Sequence, residues 1–200
     1  MTSSNRTVVY MPRSLKSTRS VVNDFEIIEF LRKNLHPSYE LVIAGHTQEY
    51  KTVEALHESW RTFAQIFSNA RVIIGPHGGA FNNLMWAPQD VDYVEFNEFP
   101  DDDVYSQSHG ETPVRCVFLT AAWAKGGTGK FWIVEPSMKH PSNFYVGKLR
   151  IAPLELVAVL LKIGGILKSE VSLSNYKSER HGTWKQPNPC YNCIPPPVGE

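Results

Sequence analysis

Basic runs and long apolar runs are missing from this chain of 200 residues, and each absence removes a class of function from expectation. Twenty Lys and Arg are balanced by twenty Asp and Glu, for a formal net charge of zero. Such a surface is not built to neutralise a phosphate backbone, so nucleic acid is not an expected partner. No stretch reaches the roughly 20 consecutive apolar residues of a membrane span. The opening residues MTSSNRTVVY lack the charged-then-apolar layout of a signal peptide, so the expectation is a soluble chain. Cysteine is scarce. Cys116, Cys190 and Cys193 allow one disulfide and half a zinc site, whereas structural zinc wants four ligands. The G-x-S-x-G elbow of an α/β hydrolase is also absent.

What is present is enough apolar material for one core of ordinary size: 42% hydrophobic residues, five Trp among them. One stretch, AKGGTGKFW at residues 124–132, nearly spells a nucleotide-triphosphate loop. Such a loop needs Gly at its first position and a hydroxyl after its Lys, where this chain has Ala124 and Phe131. It must also follow a strand and open a helix, yet FWIVEP reads as a strand. The preceding VRCVFLTAAWAK places Val114, Val117, Phe118, Ala121 and Ala122 on one helical face, so the two glycines Gly126 and Gly127 read as a helix stop.

Reading forward, strands are expected at 6–12, 39–45, the run RVIIGPH, 92–96 and 130–135. Between them lie helical patterns, one carrying Val21, Phe25, Ile28, Leu31 and Leu35, the next Val53, Leu56, Trp60, Phe63 and Phe67. A short helix follows at AFNNLMWA, and Asn23 with Glu26 offers a capping-box-like pair at the start of the first helix. The alternation implies an α/β fold, a doubly wound and mostly parallel Rossmann-like sheet with helices on both faces. Pro153 opens a last helix that stops at Gly164 and Gly165. The expected division is a domain at 1–167 and a polar, proline-rich tail at 168–200 with little order.

Ligands of an open parallel sheet sit where strands end and helices begin. In RVIIGPHGGAFNN, Gly75, Gly78 and Gly79 let the backbone approach a ligand, and the helix start behind them offers N–H groups and a partial positive charge. That suits a diphosphate. His77 is placed to donate a hydrogen bond to a phosphate oxygen or a leaving group. The first crossing, MPRSLKSTRSVVND, adds Arg13, Lys16 and Arg19, ahead of a helix that Asn23 can cap. A planar guanidinium bonds two phosphate oxygens at once and never loses its charge.

Arg13, then STR at 17–19, then Asn23-Asp24, then SNARVIIGPHGGAFNNLMWAP together resemble the catalytic domain of glycosyltransferase family 61. Its motif reads roughly R, [ST]R, NE and an S-x-A-x-x-x-G-x-HGAGLTN block. The similarity runs from about residue 7 to about residue 165. The resemblance implies one nucleotide-sugar-binding lobe of a two-lobed, GT-B-type transferase that inverts the anomeric centre, in a family that includes protein O-linked N-acetylglucosaminyltransferases and plant xylosyl- and arabinosyltransferases. Carried over residue by residue, it implies Arg19 and His77 as catalytic and Arg13, Asn23, Gly78 and Asn83 as donor-binding, to which the glycine turn adds Gly79. Departures are Asp24 for Glu, Gly79-Ala80 for Ala-Gly, and Phe81-Asn82 for Leu-Thr. The resemblance also implies a UDP-linked donor, a glycan or protein hydroxyl acceptor, an N-terminal lobe not present here, and the lumen of the Golgi or endoplasmic reticulum. The sequon N-R-T at Asn5 accords with that compartment.

No metal is needed for a site of this kind, since Arg13, Arg19, His77 and the helix start offset the leaving charge. Asp101 and Asp103 in PDDDVY have the spacing that grips manganese in other sugar transferases and stand as the alternative. Glu95, at the end of the fourth strand, is a candidate for the ribose hydroxyls by analogy with dinucleotide sites. The general base stays open among Asp24, Glu98, His109 and the missing lobe. A non-catalytic nucleotide-binding lobe, or a truncated transferase, is the competing functional reading.

Overall fold

The apolar runs become strands in the computed structural model, which describes residues 6–14, 20–45, 52–96, 129–134 and 148–176. They are β1 (Arg6–Tyr10), β2 (Tyr39–Ile43), β3 (Ala70–Pro76), β4 (Asp92–Phe96) and β5 (Phe131–Val134). The sheet has five strands in the order β2-β1-β3-β4-β5, and every neighbouring pair is parallel. β1, β3 and β4 are buried almost throughout, as expected of strands covered on both faces, while the edge strand β2 is half exposed.

Alternation along each strand divides the core in two. Val8, Tyr10, Val72, Ile74, Val94 and Phe96 face one side, where Ile27 and Leu31 of α1 (Asp24–Asn34) and Leu156 and Leu160 of α3 (Pro153–Ile163) cover them. Val9, Met11, Ile73 and Tyr93 face the other, under Phe63 and Phe67 of α2 (Val53–Ser68) and Leu84 of a 3-10 helix, Gly79–Trp86. The doubly wound α/β arrangement is therefore present in the described residues. β1 sits between β2 and β3, so the chain leaves β1 toward one neighbour and later returns to the other side. Their exits feed helices on opposite faces, which opens a crevice at the carboxyl ends of β1 and β3.

Several local expectations change. Phe25 is 74% exposed and Trp60 57% exposed, so neither belongs to an inner face. α1 begins only at Asp24, and its buried stripe is Ile27 and Leu31. The short helix after β3 is 3-10 rather than α. Chain past 167 remains packed as far as the described residues go: Lys168 N–H donates to Asn34 O at 2.9 Å, Val171 is buried, and Tyr176 meets the Phe30 ring edge-on at 5.8 Å. Pro153 opens α3 and Gly164, at φ 79°, closes it, as read from the sequence. The expected helix at 114–125, the cysteines and the tail beyond 176 lie outside the described residues.

The loop that imitates a phosphate binder ends in a structural glycine. Gly129 and Lys130 precede β5, at the amino rim opposite the ligand edge. A Cβ on Gly129 would lie 1.6 Å from Val91 O, closer than any side chain is tolerated. Gly129 instead donates its N–H to Gln89 O at 3.0 Å. Gly129→Ala is expected to destabilise the fold by about 2–3 kcal/mol or more through forced backbone displacement, read as a lowered midpoint in thermal or urea unfolding. Gly164→Ala, with nothing within 4 Å of the new methyl, meets only the left-handed backbone cost of about 1–2 kcal/mol. Equal losses would contradict this assignment.

Candidate functional site

The exits of β1 and β3 are joined by hydrogen bonds. Met11 N–H donates to Ile74 O at 2.8 Å, which carries β1's pairing one residue past its end. Arg13 then reaches across, and its Nη1 donates to the carbonyl oxygen of His77 at 3.0 Å. Gly78 accommodates the guanidinium: a Cβ there would stand 3.0 Å from Nη1 and 3.1 Å from Cζ of Arg13. Its backbone, at φ 154° and ψ −179°, also occupies a region that is essentially reserved for glycine. The backbone conformation calls for glycine at 78, and a side chain there would also push the guanidinium aside.

His77 is held from three sides. Its N–H donates to Phe96 O at 3.1 Å, its carbonyl accepts from Arg13, and its ring Nδ1 contacts Glu95 Oε1. The register explains the ring contact, because Gly75 stands opposite Glu95 and Pro76 opposite Phe96. Strand alternation then puts Glu95 on the face of Tyr93, Ile73 and Met11. Gly75 has no room for a side chain, since a Cβ would lie 3.0 Å from Met11 O. The Glu95 side chain is 0% exposed and that of His77 is 11% exposed. A buried carboxylate is tolerated only with a partner of this kind. Glu95 is thus enclosed behind the imidazole, an arrangement that does not present it to ribose hydroxyls.

Asn23 has a different occupation from the one expected. It stands at the N-cap position of α1, but its side chain makes no capping bond. Instead its amide pairs both ways with the backbone of Ile151, donating to the carbonyl at 2.8 Å and accepting the N–H at 3.0 Å, and it also donates to Glu26 at 3.2 Å. At 4% exposure it pins α1 to the strip at 148–151. Gly79 begins the 3-10 helix and Asn83, half-buried, lies within it. Lys16, Arg19, Glu98, Asp101, Asp103 and His109 fall outside the described residues. Among the described residues no group of three or more His, Cys, Asp or Glu is placed to hold a metal, and no helix is long and apolar enough to cross a membrane.

One pairing had no signal in the local sequence. Tyr10, wholly buried at the end of β1, donates its hydroxyl to Asp24 Oδ1 in the first turn of α1. Burial pushes the Asp24 carboxyl up to about 6, with the Tyr10 hydrogen bond pulling the other way. Burial, with the neighbouring Asp24 charge, likewise raises the Tyr10 phenol well above its usual value.

With this geometry in view, residues 2–94 match the family model described as Glycosyltransferase 61. The match includes Arg13 and the whole of the His77-Gly78-Gly79 turn and stops one residue short of Glu95. A comparison with curated proteins finds no match.

Two outcomes follow for the site. Gly78→Ala should destabilise the chain by about 1–3 kcal/mol and displace the Arg13 guanidinium, seen in unfolding curves and in the Arg13 side-chain NMR signal. For Asp24, the folded-state value lies above the ordinary 3.8, so the folded chain binds the extra proton and stability falls as pH rises from about 4 to about 6. Asp24→Asn should flatten that slope and raise the melting temperature at pH 7.5. A lower melting temperature at pH 7.5, with the slope unchanged, would contradict the assignment.

Proposed function

On the premise that residues 2–94 are glycosyltransferase 61 sequence, we propose that the chain binds a nucleotide sugar with its diphosphate at the carboxyl ends of β1 and β3 and passes the sugar to a hydroxyl acceptor with inversion. The observation that carries this reading is the bond from Arg13 to the His77 carbonyl, which brings a permanent cation to the glycine turn at the switch point of the sheet. In a parallel α/β sheet this crevice is where ligands bind. A guanidinium can hold a backbone carbonyl and phosphate oxygens with the same planar fork. The first N–H groups of the 3-10 helix at Gly79–Trp86 add donors aimed along its axis.

In the reaction, charge accumulates on the leaving nucleoside diphosphate as the bond to the anomeric carbon breaks. Donors already in place stabilise that charge without reorganising, and this is the form of catalysis the turn is suited to. Arg19, from the [ST]R part of the family motif, is assigned to the same diphosphate. No metal enters this scheme. UDP is the expected nucleotide, the acceptor is a protein or glycan hydroxyl, and the compartment is the lumen of the Golgi or endoplasmic reticulum, all from the family. The GT-B type, with a second lobe closing over the donor, has the same basis.

Titration calorimetry with UDP provides the test. Arg13→Ala and Arg19→Ala should each weaken binding about 10- to 100-fold, the loss of one charge-assisted contact, and Arg13→Lys should not restore it because the fork is lost. Chelator should leave binding unchanged. Wild-type affinity in both alanine variants would remove the site. Loss of binding in chelator, restored by manganese, would favour Asp101 and Asp103 instead. UDP binding without any transfer would favour a non-catalytic lobe.

A further inference from the structure

We propose that His77 and Glu95 form the general base of the transfer, with Glu95 holding the imidazole so that its Nε2 accepts the proton of the acceptor hydroxyl. This rests on the function proposed above and assigns the one role which that scheme leaves empty.

Glu95 is 0% exposed and His77 is 11% exposed, so of the two only the imidazole can touch a bound substrate. The carboxylate acts through it and is a positioning residue. The buried carboxylate meets the ring at Nδ1; with Glu95 ionised its oxygen only accepts, which requires the ring proton to sit on Nδ1. A neutral imidazole protonated on Nδ1 carries its lone pair on Nε2 and takes a proton rather than giving one. This reverses the direction expected from the sequence, in which His77 donates to the phosphate.

The His77 N–H is held by Phe96 O at 3.1 Å, its carbonyl by Arg13 at 3.0 Å and its ring by Glu95. The same residue therefore touches the proposed diphosphate cation through its backbone while its side chain serves the proton. A carboxylate sealed inside a sheet is a burden on stability that an apolar residue would not impose. Its retention behind an imidazole follows the logic of acid–base–orienter triads, where the buried acid fixes the tautomer and stabilises the imidazolium that forms. Among the described residues the rival carboxylate is Asp24, which has one oxygen committed to the Tyr10 hydroxyl.

The step balances without a further reagent. The acceptor oxygen forms a bond to the anomeric carbon as the carbon–oxygen bond to the diphosphate breaks, and that electron pair leaves with the nucleoside diphosphate. The hydroxyl proton moves to Nε2. The resulting imidazolium, opposite Glu95, later returns the proton to solvent.

Two measurements on the full chain test this. Long-range 15N–1H NMR of His77 at neutral pH should show a protonated Nδ1 and an unprotonated Nε2; a proton on Nε2 with a bare Nδ1 overturns the inference whatever the activity. Release of UDP from UDP-N-acetylglucosamine and UDP-xylose, with water as the acceptor, reads turnover. His77→Asn should lower it about 10²- to 10⁴-fold and Glu95→Gln at least about tenfold. Turnover retained in His77→Asn but lost in Asp24→Asn would overturn the dyad and name Asp24. Failure of the wild-type chain to bind UDP would instead contradict the function on which the dyad depends.

Discussion

A hydrogen bond from the Arg13 guanidinium to the carbonyl of His77 ties together two strand exits that lead to opposite faces of the sheet. Much of the surrounding sequence is explained by the need to make it. Met11 extends β1 along β3 before the chain turns away. Gly75 leaves the Met11 backbone its space, and Gly78 leaves the guanidinium its space, in a conformation closed to other residues. A side chain at 78 would press on the guanidinium, and one at 75 on Met11. The crevice is thus made by omission of side chains as much as by their presence.

The two rims of the sheet carry different chemistry. At the amino rim the charges are spent on structure. Arg6 makes a two-pronged bond to Asp90 at 2.8 and 2.9 Å. Asp92 accepts from Arg71 at 2.6 Å and from the Lys130 N–H at 2.7 Å, tying the start of β4 to the start of β5. At the carboxyl rim the groups are instead a guanidinium on a backbone carbonyl, an imidazole on a buried carboxylate, and a phenol on a half-buried one. Burial of Glu95 and of Tyr10 beside Asp24 works against stability, and both burials lie at the edge where an α/β sheet meets its ligands.

How much of this could be read beforehand depended on sequence distance. Strand and helix alternation is a local signal, and it located all five strands and the glycine stop of α3. The glycine turn and its histidine were legible for the same reason, because the residues that make the turn are adjacent. Strand order was not, since pairing β1 between β2 and β3 is a long-range choice that no periodicity records. Phe25 fitted a helical stripe but is exposed at the start of α1, while Val21, Leu31 and Leu35 of the same stripe are buried, Ile28 packs against them and Ile27 joins them. Asn23 and Glu26 had the spacing of a capping box; the amide was taken by Ile151, 128 residues along the chain. Glu95 was recognised as a strand-end acid, yet its partner lay across the ladder. The signal that would have found it is strand parity: Glu95 and His77 fall on one face of neighbouring parallel strands, near a glycine that leaves room between them.

The central claim is that a nucleoside diphosphate seats on the turn where Arg13 meets His77 and Gly78. Amide and guanidinium chemical-shift mapping with UDP on the 15N-labelled chain tests it most directly. The largest shifts are expected at the Gly78 and Gly79 amides and the Arg13 side chain, with little change around Gly129 and Lys130. Shifts centred on Gly129 and Lys130 at the amino rim, with Gly78 and Arg13 unmoved, would contradict it.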